Sequence, residues 1–211
     1  PPAMADADIL VSPETGQKAY AILSKIARSM PEQAKPLNPI GLLGLMARQN
    51  GIALCPLVYG YVNYSRAGPG QKPLSFHDAP RSPGGNPVGT LGGTGIAFSK
   101  RFVPDEGLKR HVLWLMGKDA QCGFIPDHDG QPSRREAWLD AGVNAAWGNF
   151  YKNTAQTLEH SYVRPRHSGY IAFQTAASTL LRDSFASGRP AGDVVRDLQQ
   201  LYASSRSGGE R

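Results

Sequence analysis

Only two cysteines, Cys55 and Cys122, occur in 211 residues. They are too few for a disulfide-framed fold or a four-ligand zinc site, and two unbridged thiols are the expectation. No apolar run approaches the ~18 residues that cross a bilayer, which excludes a membrane-spanning helix. Charged residues make up 19% and hydrophobic ones 40%, a balance that excludes both an acidic disordered tail and a coiled coil. The opening Pro1-Pro2-Ala3-Met4-Ala5-Asp6 has neither a basic start nor an apolar stretch, so no signal peptide is expected within this chain.

What is abundant is glycine (24) and proline (17), together nearly a fifth of the chain. Many turns and exposed loops between short elements follow from that excess. Lysine and arginine exceed aspartate and glutamate by 23 − 17 = +6. The basic residues are scattered, and Arg134-Arg135 with Arg164 and Arg166 form no stripe, so a nucleic-acid interface is not expected.

Helix signals are clear at both ends. Ser12 and Pro13 open a helix carrying Ala19, Ile22, Leu23, Ile26 and Ala27 on one face. Asn38-Pro39 opens a second, stopped at Asn50-Gly51, and Pro104-Asp105-Glu106 a third. Residues 119–132 read as a loop, and Ser133 with Glu136 as a capping box before a helix through Trp138. Further helices are expected around Trp147, over about 168–186, and over about 190–203. Strands are expected in the middle: 52–64, rich in β-branched and aromatic residues, then 74–77 and 96–98.

Few motifs suggest chemistry. Gly92-Gly93-Thr94-Gly95 lacks the Gly-Lys-Ser/Thr of a P-loop and the third glycine of a dinucleotide fingerprint. It is either a turn allowing close backbone approach or a loop offering amide N–H groups to a neutral ligand. Asp127-His128-Asp129-Gly130 does not match a calcium loop, because Ile125 stands where the first aspartate belongs, and reads as a solvated turn. The five histidines form no metal-ligand pair at helical spacing, and no nucleophile elbow is present. In Leu57-Val58-Tyr59-Gly60-Tyr61-Val62-Asn63-Tyr64, a two-residue period puts Tyr59, Tyr61 and Asn63 on one face. Two rings and an amide on one face suit a sugar, whose C–H faces stack while its hydroxyls hydrogen-bond. A tyrosine-rich strand packed under a loop explains the same pattern.

Five segments carry a resemblance. They are Asn38-Pro39-Ile40, Ala53-Leu54-Cys55-Pro56 running into the tyrosine segment, Leu91-Gly92-Gly93-Thr94-Gly95-Ile96-Ala97, Gly130-Gln131-Pro132-Ser133-Arg134-Arg135-Glu136-Ala137-Trp138, and Val163-Arg164-Pro165-Arg166 with Gly169-Tyr170-Ile171-Ala172-Phe173-Gln174. In that order and spacing the chain resembles the C-terminal portion of an extracellular solute-binding protein of family 1, the receptor subunit of carbohydrate ABC importers.

The resemblance implies an α/β fold: a helix-rich lobe of a type II periplasmic binding protein whose N-terminal lobe is missing from this chain. It divides the chain into a helical part (1–52), hinge strands with the glycine loop (53–103), a helical C-terminal part (104–203) and a disordered tail (204–211). It implies a non-catalytic receptor, without cofactor or metal, that holds a solute, a sugar foremost, and hands it to an ABC permease. The location would be periplasmic or extracellular, and the truncated chain would tend to self-associate. Ligand-binding candidates carried over by position are Tyr59, Tyr61, Asn63, Gly92, Gly93, Thr94, Arg134 and Tyr170. Trp138 and Trp147 are expected in the core. The alternative is a carbohydrate-active enzyme such as a glycoside hydrolase fragment, which needs two carboxylates beside the sugar bond. None stands in sequence beside the tyrosines.

Overall fold

The structure is a computed structural model that describes residues 9–207. In chain order its helices are α1 (Pro13–Ser29), α2 (Pro39–Arg48), α3 (Glu106–Leu115), the short turn α4 (Ile125–Asp127), α5 (Arg135–Leu139), α6 (Ala141–Ala146), α7 (Phe150–Glu159), α8 (Tyr170–Ser187) and α9 (Ala191–Ser207). No helix among the described residues is long and apolar enough to cross a membrane.

The α/β expectation is overturned. The described residues are 55% helix, and among them the only β-type pairing is an isolated parallel bridge between Thr90 and Tyr162. The chain is therefore not an α/β periplasmic-binding lobe. Among the described residues the segments expected as strands carry no strand assignment, and the main-chain hydrogen bond that joins two of them, from the Leu74 N–H to the Tyr64 carbonyl at 2.7 Å, does not extend into a ladder. Composition can favour an extended backbone, whereas a sheet exists only where a second segment supplies N–H and C=O partners. At its end the first segment curls into a 3₁₀ turn, Val62–Ser65.

The chain divides into two compact units. One joins the residues up to Lys35 with those from Val163 onward, and so combines α1, α8 and α9. Ser12 caps α1 by accepting from the Thr15 N–H at 3.3 Å. The buried face of α1 is centred on Gly16 and Tyr20, while Ile22, expected inside, is 60% exposed. Gly16 explains the offset: a Cβ there would lie 2.9 Å from Val195, so α1 and α9 meet at this glycine. Phe173, Ala177 and Tyr202 form the core between α8 and α9. Gly188, at φ +67°, ends α8 in the left-handed conformation. The expected tail begins too early: α9 continues to Ser207, and residues 208–211 lie outside the described residues.

The other unit, Pro36–Tyr162, holds α2 to α7. Val62, Val143, Trp147, Phe150 and Tyr151 form its buried centre, with Phe76 and Trp138 packed around it. The helix starts read from sequence hold at α2, where Asn38 accepts from the Gly41 N–H at 2.8 Å, and at α3, where Asp105 accepts from Leu108 at 2.7 Å.

Two local readings differ. Residues 119–132 are not simply a loop, since Ala120–Phe124 forms a π-helical turn. The capping box at Ser133 does not form either, because the buried Gln121 takes over these groups. Its Oε1 accepts from the Ser133 N–H (2.7 Å) and the Arg134 N–H (3.2 Å), and its Nε2 donates to the Leu115 carbonyl (2.7 Å). A long-range acceptor thus displaces the local cap, and α5 starts one residue after Arg134 without a side-chain cap.

Candidate functional site

The alternation read along the tyrosine segment is present in the structure. Tyr59, Tyr61 and Asn63 are exposed, while Val58 and Tyr64 are half-buried and Val62 fully buried. A glycine anchors the segment. A Cβ on Gly60 would sit 3.0 Å from Cζ of Phe150 and 3.6 Å from Cδ1 of Phe76, so only a residue without a side chain lets the backbone reach this core. Holding Gly60 against the core displays its two tyrosine neighbours on the opposite face. This anchor was missed in the sequence, although a glycine between two exposed aromatics is its signature.

The glycine loop meets this face. A Cβ on Gly92 would lie 3.0 Å from Cε1 and 3.1 Å from Cδ1 of Tyr59, so the ring rests directly on the main chain there. Gly93 has open space around it, and residues 91–100 are exposed throughout. Tyr59 and Tyr61 keep 43% and 38% of their surface accessible, enough for a ligand to reach the rings. The structure therefore brings Tyr59 onto Gly92, with Tyr61 on the one side and Gly93 and Thr94 on the other adjoining this contact in sequence.

Asn63 is exposed, but its Nδ2 donates to the Asp129 carbonyl at 2.9 Å and ties the segment to the next loop. Arg134 does not join the surface. Its Nε donates to Glu136 at 2.7 Å and its Nη1 to the Met116 carbonyl at 3.2 Å, contacts that fasten the start of α5 to the end of α3. Tyr170 belongs to the other unit, where its ring centre lies 5.7 Å from those of both His167 and Phe173. Trp147 is 1% exposed, in the core as expected, and Trp138 packs against that core. Arg66 covers the Trp147 ring with its guanidinium 3.5 Å from the ring centre, a cation–π contact.

The two segments themselves carry no charged side chain. Residues 49–65 and 82–99 contain no Asp, Glu, Lys or Arg. Burial pushes the Cys55 thiol up, partly offset by the Leu57 backbone hydrogen bond, so this side chain also stays uncharged near neutrality. Cys55 and Cys122 are both free thiols. Among the described residues, the main chain from Gly92 to Phe98 makes no hydrogen bond to another segment. The two segments offer ring faces, phenol hydroxyls and main-chain amides and contribute no charge of their own. That combination suits a neutral, polyhydroxylated ligand better than an ion. Among the described residues no group of three or more His, Cys, Asp or Glu is placed to hold a metal.

No protein family, no curated protein and no solved structure matches the chain.

Proposed function

We propose that the chain is a non-catalytic carbohydrate-binding component of a solute-capture system serving an ABC importer outside the cytoplasm. The observation that carries the reading is the contact of the exposed Tyr59 ring with the Gly92 main chain, with Tyr61 displayed on the same segment. A sugar ring stacks its C–H face on such aromatics, and its hydroxyls pair with phenol groups and loop amides. The importer as recipient rests on the five-segment resemblance alone, since the α/β fold that the resemblance implied is not the fold observed. The lack of charge along both segments favours a neutral sugar over polyamines or phosphate esters.

An open surface covers one side of a ligand, whereas pockets bury about 70–90% of a small molecule. The chain by itself therefore binds weakly, in the range of about 1 mM. The test is calorimetric titration with neutral oligosaccharides, beside Tyr59→Ala and Tyr61→Ala. Saturable binding without products, weakened about tenfold by either substitution, is expected. Release of reducing sugar would identify a hydrolase instead, and affinity indifferent to both substitutions would overturn the reading.

A further inference from the structure

The sequence contains three pairs of adjacent basic residues, Lys100-Arg101, Lys109-Arg110 and Arg134-Arg135. An endoprotease that recognises such a pair needs several consecutive residues free of helix and of bonds to the rest of the fold, because the bond to be cut must enter its cleft. The structure treats the three pairs differently. Lys109 and Arg110 lie inside α3, where Lys109 pairs with Glu106 at 2.7 Å. Arg134 and Arg135 stand at the start of α5. The Arg134 N–H is held by Gln121 and its side chain by Glu136, while Arg135 pairs with Glu159 at 2.6 Å.

Lys100-Arg101 is open. Residues 91–103 are all exposed, with Phe102 at 50% and Val103 at 87%. Among the described residues the main chain from Gly92 to Val103 makes only local hydrogen bonds, both to Ser99. The Arg101 N–H donates to the Ser99 Oγ (3.2 Å) and the Phe102 N–H to the Ser99 carbonyl (3.0 Å). Opening this turn gives up two exposed hydrogen bonds rather than a helix. No Asp or Glu stands between Asp78 and Asp105, so acidic subsites that receive a basic pair meet no like charge along this stretch.

We infer that the Arg101–Phe102 bond is a processing site for an endoprotease specific for paired basic residues, and that the cut chain keeps its fold. The step is hydrolysis: water adds to the Arg101 carbonyl carbon, the C–N bond breaks, and the nitrogen of Phe102 leaves with a proton. One fragment then ends in a carboxylate and the other begins with an amine. Both compact units are built from both fragments. In one, Gly16 of α1 lies against Val195 of α9, and the Tyr20 hydroxyl donates to the Arg189 carbonyl at 3.1 Å. In the other, Val62 and Phe76 pack with Val143, Trp147 and Phe150, and Asp78 accepts from the N–H and hydroxyl of Thr157 at 2.7 and 2.9 Å. These contacts join the two fragments without using the residues beside the cut, so hydrolysis removes one covalent link and no part of either core. The inference does not rest on saccharide binding.

Brief digestion of the whole folded chain with an endoprotease of that specificity, read by intact mass, tests it. Fragments 1–101 and 102–211 are expected first, at least about tenfold faster than cleavage at either helical pair, which needs local unfolding. On a sizing column in buffer they should elute together at the position of the uncut chain, with helical circular dichroism retained, and separate only in denaturant. Arg101→Gln should slow this first cut at least about tenfold, whereas Arg110→Gln should leave its rate unchanged. A first cut after Arg110 or Arg135, a chain resistant at all three pairs, or fragments that part in buffer would each overturn the inference. Since these samples contain no saccharide, failure here leaves the carbohydrate titration to be judged separately.

Discussion

The Tyr59 ring lies on the main chain of Gly92, 3.0 Å from where a Cβ would project. Gly92→Ala is therefore expected to push the ring aside rather than unfold the chain, because Tyr59 is 43% exposed and has room to move. Urea denaturation should show a change below about 1 kcal/mol, while the near-ultraviolet tyrosine signal shifts and saccharide affinity falls. A loss above about 2 kcal/mol would mean that the ring is fixed in place.

Gly60 and Gly93 make opposite predictions. Alanine at Gly60 drives a methyl group to within 3.0–3.1 Å of the Phe150 ring, itself 2% exposed and packed edge-on against Phe76 and Tyr151. The expected cost is about 1–3 kcal/mol. Alanine at Gly93 meets open space, and restricting the unfolded chain should leave stability level or raise it by about 0.4–1 kcal/mol. The Gly60 variant should melt lower than the parent chain, and the Gly93 variant at the same temperature or higher.

Tyr151 is fully buried, and its hydroxyl has no hydrogen-bond partner among the described residues. Burial raises its phenol pKa strongly, with the charge of Arg66 acting weakly in the opposite sense. The folded form therefore holds the proton after the unfolded form, titrating near pH 10, has lost it. This group's contribution is complete below about pH 10 and declines above it by about 1.4 kcal/mol per pH unit until the folded group also ionises. Tyr151→Phe removes an unsatisfied hydroxyl and is expected to stabilise by up to about 1 kcal/mol at neutral pH. It should also flatten the alkaline limb of the stability curve; an unchanged limb would assign that loss to other groups.

Gln121 links three elements through one side chain that is 1% exposed. Gln121→Leu would leave the Ser133 and Arg134 N–H groups and the Leu115 carbonyl without their partner, at a cost of about 2–4 kcal/mol in urea denaturation. Arg134→Ala loses only exposed pairings and should cost less than about 1 kcal/mol. If Arg134 is structural, as its contacts with Glu136 and Met116 indicate, the same variant leaves saccharide affinity unchanged.

The sequence by itself determined what is local. Ser12, Asn38 and Asp105 open helices because a cap is a bond between residues three apart, and the faces of α8 and α9 follow from a 3.6-residue period. The two-residue alternation of Tyr59, Tyr61 and Asn63 was legible for the same reason. Tertiary structure alone decided that the middle of the chain forms no sheet, because pairing needs a distant segment that composition cannot supply. It decided that Gln121 replaces the Ser133 capping box, that Tyr170 belongs to another unit than Tyr59, and that Gly60 and Gly92 bring their backbones against Phe150 and Tyr59. Each of these depends on atoms far apart in the chain, and their meeting is fixed by packing rather than by neighbouring residues.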